Sequence, residues 1–296
     1  MHKITAKILS SLKIGASTKL PFIKGAFFLV LYAVFSSLND VCMKFVNTNT
    51  VDTIFWRNLC ANIVLLPLVI RSRPQITLKS TRNHFIRALV FGISMICYVS
   101  ALKRLPLSLV VAINFSIPLW VVLFACIFLK EAWRERLISV IIGLIGIFIT
   151  CMPTFENTNW IFTLIMILAT IGFASLDVFN KYLLNQEETI VMMLFGSNLF
   201  ITMLCLPIFS YTIPAQPWAF IYLGIGANLV LYFLLKAWKS CDISALQPIK
   251  YIEFPLAILF GTAIFKDTTH WMVFLGVGVL LIGVFLNIAQ EMKSKK

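Results

Sequence analysis

The sequence predicts an all-α membrane protein: ten transmembrane helices arranged as two inverted five-helix repeats, with both termini in the cytoplasm. Three observations carry that prediction. Of 296 residues, 60% are apolar and only 12% are charged, against about 45–50% and 25% in a soluble domain. Apolar stretches close to the roughly 20 residues that cross a bilayer recur along the whole chain. Finally, motifs of the first half return in the second at a nearly constant spacing.

Taken in order, residues 1–24 hold Lys3, Lys7, Lys13, Lys19 and Lys24 and no acid. They lack the compact apolar core and small-residue cleavage site of a secretory signal, and read as a basic cytoplasmic tail suited to anionic lipid. Apolar spans follow at about 25–43, 52–70, 84–102, 107–128 and 137–153, then at 160–181, 190–209, 217–237, 244–264 and 271–288. This divides the chain into a first repeat (25–153), a second repeat (160–288) and a C-terminal cytoplasmic tail (289–296).

Charge placement orients the spans. Lys and Arg number 25 against 12 acids. With the N-terminus inside, nineteen of the 25 fall in cytoplasmic segments, including Arg71, Arg73, Lys79, Arg82, Arg87, Lys130, Arg134 and Arg136. Only Lys44, Lys103, Arg104 and Lys266 fall outside, while Arg57 and Lys250 lie within spans. An excess of that sign marks the cytoplasmic face. The basic residues are scattered between apolar stretches and form no basic face, so the high charge does not imply a nucleic-acid partner.

The repeat is legible residue by residue. Asp40-Val41-x-x-Lys44-Phe45 returns as Asp177-Val178-x-x-Lys181-Tyr182, Pro118-Leu119 as Pro255-Leu256, and Leu144-Ile145-Gly146-Ile147-Phe148 as Leu281-Ile282-Gly283-Val284-Phe285, each 137 residues on. Ala101-x-Lys103 and Ala237-x-Lys239 match at 136. Five spans per repeat is an odd number, so the second copy enters the membrane inverted. That is the architecture of secondary carriers, whose site lies near the midplane between the halves.

Several functions are excluded. The seven cysteines sit singly, and the three histidines (His2, His84 and His270) lie in the tail or at span edges. Metal-ligand spacing, a buried triad and catalytic carboxylate pairs are therefore not expected, and neither is a cofactor. No Gly-rich loop ends in Lys-Ser/Thr, so the chain encodes no ATP hydrolysis and implies no ATPase subunit. A channel would need a continuous polar stripe or a coordinating ring, and neither is visible.

Charges inside the apolar spans are the candidate working groups, because a charge within a bilayer is costly unless it is functional or paired. Asp40 and Lys44 stand at i,i+4 near the outer boundary, with Arg57 at similar depth; Asp177, Lys181 and Lys236 are the inner counterpart. We read these as two symmetry-related gates, with structural ion pairing and snorkelling of the lysines as the bland alternative. Span 9 reads Gln247-Pro248-Ile-Lys250-Tyr251-Ile-Glu253-Phe254-Pro255. Glu253 stands about nine residues from the cytoplasmic end, about 14 Å deep at 1.5 Å per residue, and Lys250 shares its face at i,i+3. The prolines predict a kink that turns backbone carbonyls toward a cavity. Glu253, Tyr251, Lys250, Arg57 and, from span 4, Asn114 are the expected substrate-binding residues; a Lys250–Glu253 brace is the structural alternative.

These features resemble the EamA group of drug/metabolite transporters over the whole span region. Within it the chain is similar to the S-adenosylmethionine uptake transporters of obligate intracellular bacteria, on Ser37-x-Asn39-Asp40-Val41-x-x-Lys44, Phe55-x-Arg57, Phe115-x-Ile117-Pro118-Leu119, Phe233-Leu-Leu-Lys236-Ala237 and Asp242-x-Ser244-Ala245-x-x-Pro248-x-Lys250-Tyr251-x-Glu253. The resemblance implies a multi-pass protein of a bacterial inner membrane that carries a small molecule by alternating access. It implies S-adenosylmethionine uptake, with exchange for S-adenosylhomocysteine left open. An exporter of amino acids or other small metabolites is the alternative. Such a substrate suits the residues: Glu253 can face a sulfonium, aromatic rings can take a cation and a purine, and Arg57 can take a carboxylate.

Overall fold

The computed structural model describes the backbone of residues 2–46, 48–72, 78–102, 104–105, 110, 113–132, 134–151, 159–210, 214, 216–265 and 271–293; the side chains of residues 2–19, Asp40 and Lys44 are among those outside the description. All the described regular structure is helical. In chain order it comprises α1 (His2–Phe45), α2 (Thr50–Ser72), α3 (Leu78–Leu102), α4 (Ile117–Phe124), α5 (Arg134–Cys151), α6 (Trp160–Asn185), α7 (Ile190–Cys205), α8 (Pro217–Ser240), α9 (Ile243–Lys250), α10 (Glu253–Phe265) and α11 (Trp271–Lys293). Among the described residues, six stretches are long and apolar enough to cross a membrane: Leu20–Met43, Val51–Ser72, Trp160–Asn185, Pro217–Ser240, Ile243–Phe260 and Phe274–Lys293. Ile117–Leu129, Arg136–Ile149 and Ile190–Cys205 are shorter apolar helices. Large apolar side chains such as Ile70, Ile96, Phe128, Leu168 and Phe285 face outward, where a soluble protein would place polar groups.

Local sequence sets the ends and breaks. Asn159 caps α6 by accepting the amide of Ile161, and the hydroxyl of Thr189 caps α7. Pro118 stands in the first turn of α4, where a missing N–H is harmless. After Phe124 the helix widens into a π-helical turn, Ala125–Leu129, that Lys130 closes in the left-handed conformation at φ 56°. Span 9 was expected as one kinked helix; it is two. The helix breaks at Tyr251–Ile252, between Pro248 and Pro255, each of which withholds an amide from the ladder. Lys250 ends α9 and Glu253 begins α10, so each charge opposes the dipole of its own helix end.

The helices pack in a pattern that survives exchange of the two halves. The pair α1–α8 matches α3–α6, α2–α8 matches α3–α7, and the contacts of α1 with α9 and α10 match that of α4 with α6. The pairs α2–α7 and α5–α11 each join an element to its own counterpart. The α5–α11 seam is made by glycine: a Cβ on Gly146 would stand 2.6 Å from the carbonyl oxygen of Gly276 and the amide of Leu280, and one on Gly283 2.9 Å from the carbonyl of Ser139. Small residues at such seams let helix backbones touch, which is how helices associate without water to drive them together. The rest of the core is carried by Trp238, Leu246 and Leu29 on one side of α9 and by Tyr251, Leu280 and Ile147 on the other.

Candidate functional site

Six helices, three from each half of the chain, enclose a cavity of about 240 Å³. α1 contributes Tyr32; α2, Arg57 and Asn58; and α3, Arg87, Ala88 and Phe91. From the second half come Phe173, Leu176, Asp177 and Asn180 of α6, Ser197, Asn198 and Ile201 of α7, and Ala227, Val230, Leu231 and Leu234 of α8. The walls are mostly apolar and aromatic with a few convergent polar groups, the usual make-up of a small-molecule site. Its frame is polar and fixed: Asn198 donates to Asn228 at 2.9 Å, and Asn228 donates to the Ala61 carbonyl at 2.9 Å. These amides join α7, α8 and α2 at the cavity wall.

The span-9 break delivers its charges to the same place. Lys250 Nζ donates to Asp177 Oδ2 at 2.9 Å, and both side chains are largely buried. The ammonium also lies 5.8 Å from the ring centre of Tyr32 and 5.9 Å from that of Trp238, within cation–π reach. Glu253 accepts a hydrogen bond from Tyr32 Oη at 3.3 Å. The intrahelical Lys250–Glu253 brace is therefore not formed: the break between α9 and α10 parts the two, and Lys250 crosses to α6.

Other expected site residues lie elsewhere. Tyr251 is fully buried away from the cavity, stacked among Val140, Ile147 and Leu280, and its hydroxyl donates to the Val140 carbonyl at 3.1 Å. Asn114 is partly buried in a helical stretch just before the turn that leads into α4, and it does not line the cavity. Lys181 makes no ion pair with Asp177. It donates to the carbonyls of Trp238 at 2.5 Å and Cys241 at 2.8 Å, satisfying the C-terminal end of α8. Lys236 lies over the ring of Tyr232 at 5.5 Å. Asp40 and Lys44, the outer gate of the sequence reading, lie outside the described side chains.

Two clusters escaped the sequence. Arg87, counted among the basic residues of a cytoplasmic loop, is buried on the cavity wall. It donates to His84 Nδ1 at 3.0 Å and to the Met193 carbonyl at 3.1 Å. A guanidinium can only donate, so His84 carries its proton on Nε2, aimed at Glu188 Oε1 3.3 Å away. The second cluster locks the start of α9. Glu131 accepts from the amides of Ile243 (3.1 Å) and Ser244 (2.9 Å) and from the Ser244 hydroxyl (2.5 Å). Arg136 binds Glu291 at 2.8 Å, Asp242 at 3.0 Å and Ser244 Oγ at 2.7 Å. Beside it, burial pushes the Cys241 thiol up to about 12. Spacing gives no hint of this cluster, because its members come from three separate stretches of chain.

A sequence profile described as the EamA-like transporter family matches residues 23–152 and again 160–289, nearly the whole chain. The chain belongs to the EamA-like transporter family. It is thus a multi-pass inner-membrane transporter with a small-molecule substrate, not an enzyme. Among relatives of this EamA protein, an S-adenosylmethionine uptake transporter of Rickettsia conorii (strain ATCC VR-613 / Malish 7) is 30% identical over 92% of this chain and 95% of its own. One of the same description from Rickettsia bellii (strain RML369-C) is 31% identical over 91% and 95%. A riboflavin transporter of Brucella anthropi is 26% identical over 80% and 87%. A protein of known crystal structure superposes with a TM-score of 0.74 at 15% identity, over 90% of this chain and 97% of that one, which establishes a shared fold.

Proposed function

We propose that this EamA transporter imports S-adenosylmethionine by alternating access, through ten spans in two inverted repeats with both termini in the cytoplasm. The cavity between the repeats is the substrate site. The observation that carries this reading is its charge content: Arg57, Arg87 and Asp177 line one small cavity, with Lys250 on Asp177 and Glu253 behind Tyr32. S-adenosylmethionine carries a carboxylate, an ammonium and a sulfonium, and this wall offers complements of both signs. The Rickettsia relatives, matched over nearly their full length, support the substrate; the exchange-symmetric packing and the 137-residue repeat support the inverted architecture. In this scheme Glu253 and Asp177 take cationic parts of the ligand, Arg57 and Arg87 form the positive wall that faces its carboxylate, and Tyr251 holds the break between α9 and α10 in place. Lys181, Lys236 and the Arg136 cluster close the cytoplasmic end, with Asp40 and Lys44 as the outer counterpart.

Uptake of radiolabelled S-adenosylmethionine into cells expressing the chain, with and without Glu253→Gln, tests this. Saturable uptake competed by S-adenosylhomocysteine and lost in the variant is expected. Uptake at vector level, with the protein shown to be in the membrane, overturns the substrate; direct uptake of labelled riboflavin or labelled amino acids then identifies which other cargo replaces it. Uptake that survives Glu253→Gln keeps the substrate and reduces Glu253 to a brace.

A further inference from the structure

We infer that Arg87, a residue of α3 that the sequence places among loop charges, is the specificity anchor for an α-amino carboxylate head, with Asn180 of α6 accepting from the amino group. The inference rests on the reading above and deepens it: it says which end of the ligand the cavity holds.

Arg87 is 4% exposed and lines the cavity. A guanidinium so buried needs an anion, since an uncompensated buried charge is among the most costly groups a fold can carry. Among the described residues Arg87 makes no ion pair, and its Nε has no hydrogen-bond partner. Its one terminal nitrogen with partners uses a neutral imidazole and a backbone carbonyl. The carboxylate on that side, Glu188, stands beyond the imidazole and is itself engaged by Ser80 at 2.7 Å. His84 and Met193 therefore hold the guanidinium in position without neutralising it. Across the cavity, Asn180 is 6% exposed and its Oδ1 accepts no bond. One turn away on the same helix, Asp177 lines the same space.

A buried fixed cation, an unsatisfied acceptor and an acid around one space form the complement of a zwitterion: carboxylate to Arg87, ammonium to Asn180 and Asp177. Size agrees. About 240 Å³ is less than the roughly 300–1,000 Å³ of sites for drug-sized ligands, enough for an amino-acid head but not for an attached nucleoside. The nucleoside must extend beyond the enclosed volume, past Phe91 and Phe173, when the cavity opens.

The test is selectivity. Purified wild-type protein, Arg87→Gln and Arg87→Lys are titrated with S-adenosylmethionine and with its decarboxylated analogue, which keeps the sulfonium, amine and adenosine. Wild type should prefer the carboxylated ligand by about 10- to 100-fold, the scale of a charged hydrogen bond. Arg87→Gln should lose that preference while its affinity for the decarboxylated analogue stays within about threefold, and Arg87→Lys should regain part of it. A purely structural Arg87 would weaken both ligands alike, and that result, or a preference retained in Arg87→Gln, overturns the inference while leaving S-adenosylmethionine as substrate. Should Arg87→Gln fail to fold, Asn180→Leu gives a second arm: it should weaken S-adenosylmethionine about tenfold but leave a desamino analogue unaffected. Wild type that binds neither ligand overturns both the transport reading and the anchor.

Discussion

The bond between Asp177 and Lys250 ties the broken helix to α6, the first helix of its own repeat copy, and its strength can be worked from the structure. At 2.9 Å and an effective dielectric near 20, the Coulomb attraction is about 6 kcal/mol before desolvation. Removing one partner of such a buried pair costs about 3–5 kcal/mol, mostly because the other charge is stranded. Asp177→Asn keeps an acceptor for Lys250, and the rings of Tyr32 and Trp238 remain within 5.9 Å of the ammonium; together these offset about 1–2 kcal/mol. A loss of about 2–3 kcal/mol is therefore expected for Asp177→Asn. Lys250→Met should lose somewhat less, since Arg57 and Arg87 share the cavity with Asp177. The double variant strands neither charge, and should be destabilised by at least about 2 kcal/mol less than the two losses added. Reversible unfolding by SDS in mixed micelles measures all four corners of this cycle. A coupling below about 0.5 kcal/mol, the range of independent sites, would refute the claim that this pair fixes the break.

Three further outcomes follow from the packing and the inner cluster. Glu131→Ala strips the start of α9 of its two amide acceptors and should cost about 2 kcal/mol; hydrogen exchange at Ile243 and Ser244 should quicken markedly, and unchanged exchange there would count against the lock. Gly146→Ala drives a methyl into the Gly276 carbonyl and the Leu280 amide and should destabilise by about 1–3 kcal/mol, whereas Gly92→Ala meets nothing within 4 Å and should be neutral or stabilising by up to about 1 kcal/mol. Equal thermal shifts for the two would contradict the α5–α11 seam. In a variant keeping Cys241 as the only cysteine, a thiol raised from 9.0 to about 12 stays protonated at pH 7.5. Maleimide should label it at least about tenfold more slowly than an unburied thiol, with the rate rising through pH 9; rapid labelling at pH 7.5 in intact protein would contradict the burial.

The helices were legible because a bilayer leaves the chain little choice: an apolar stretch of sufficient length becomes a helix, and its charges are driven to the ends. That logic also located Lys250 and Glu253 as charges that had not been driven out. It could not say what they bind. Lys250 and Glu253 at i,i+3 are a natural pair on a continuous helix, and only the break at Tyr251–Ile252 separates them and sends Lys250 to Asp177, 73 residues back. Tyr251 was misplaced for the same reason. Its direction depends on the rotation introduced by the break, and it points to the α5–α11 core, where a Cβ on Gly143 would meet its ring. Arg87 was the opposite error: the positive-inside rule assigns every basic residue near a span end to a loop, so a cation three residues inside span 3 was counted as topology when it is part of the cavity.

The repeat explains the shape of the site but not its chemistry. Of the charges at the cavity, Asp177 maps by the 137-residue offset onto Asp40, whereas Arg57 lands on Leu194, Arg87 on Gly224, Lys250 on Ile113 and Glu253 on Ser116. Both guanidinium groups on the cavity wall thus come from the first copy, and its aspartate, with Glu253 behind Tyr32, comes from the second. In the inverted architecture proposed above, an approximate two-fold axis lets the backbone exchange inward and outward arrangements at nearly equal energy, because the helix contacts on the two sides are interchangeable. A charge pattern with the same symmetry would hold a zwitterion equally well in either of two reversed poses. With both guanidinium groups on one copy, and Asp177 (bound to Lys250) and Glu253 on the other, one pose of a zwitterion meets opposite charges at both ends and its reverse turns the carboxylate toward the acids, a penalty of several kcal/mol in a poorly screened site. In the alternating access proposed above, the ligand keeps the same ends on the same helices, and only the mouth through which it leaves changes.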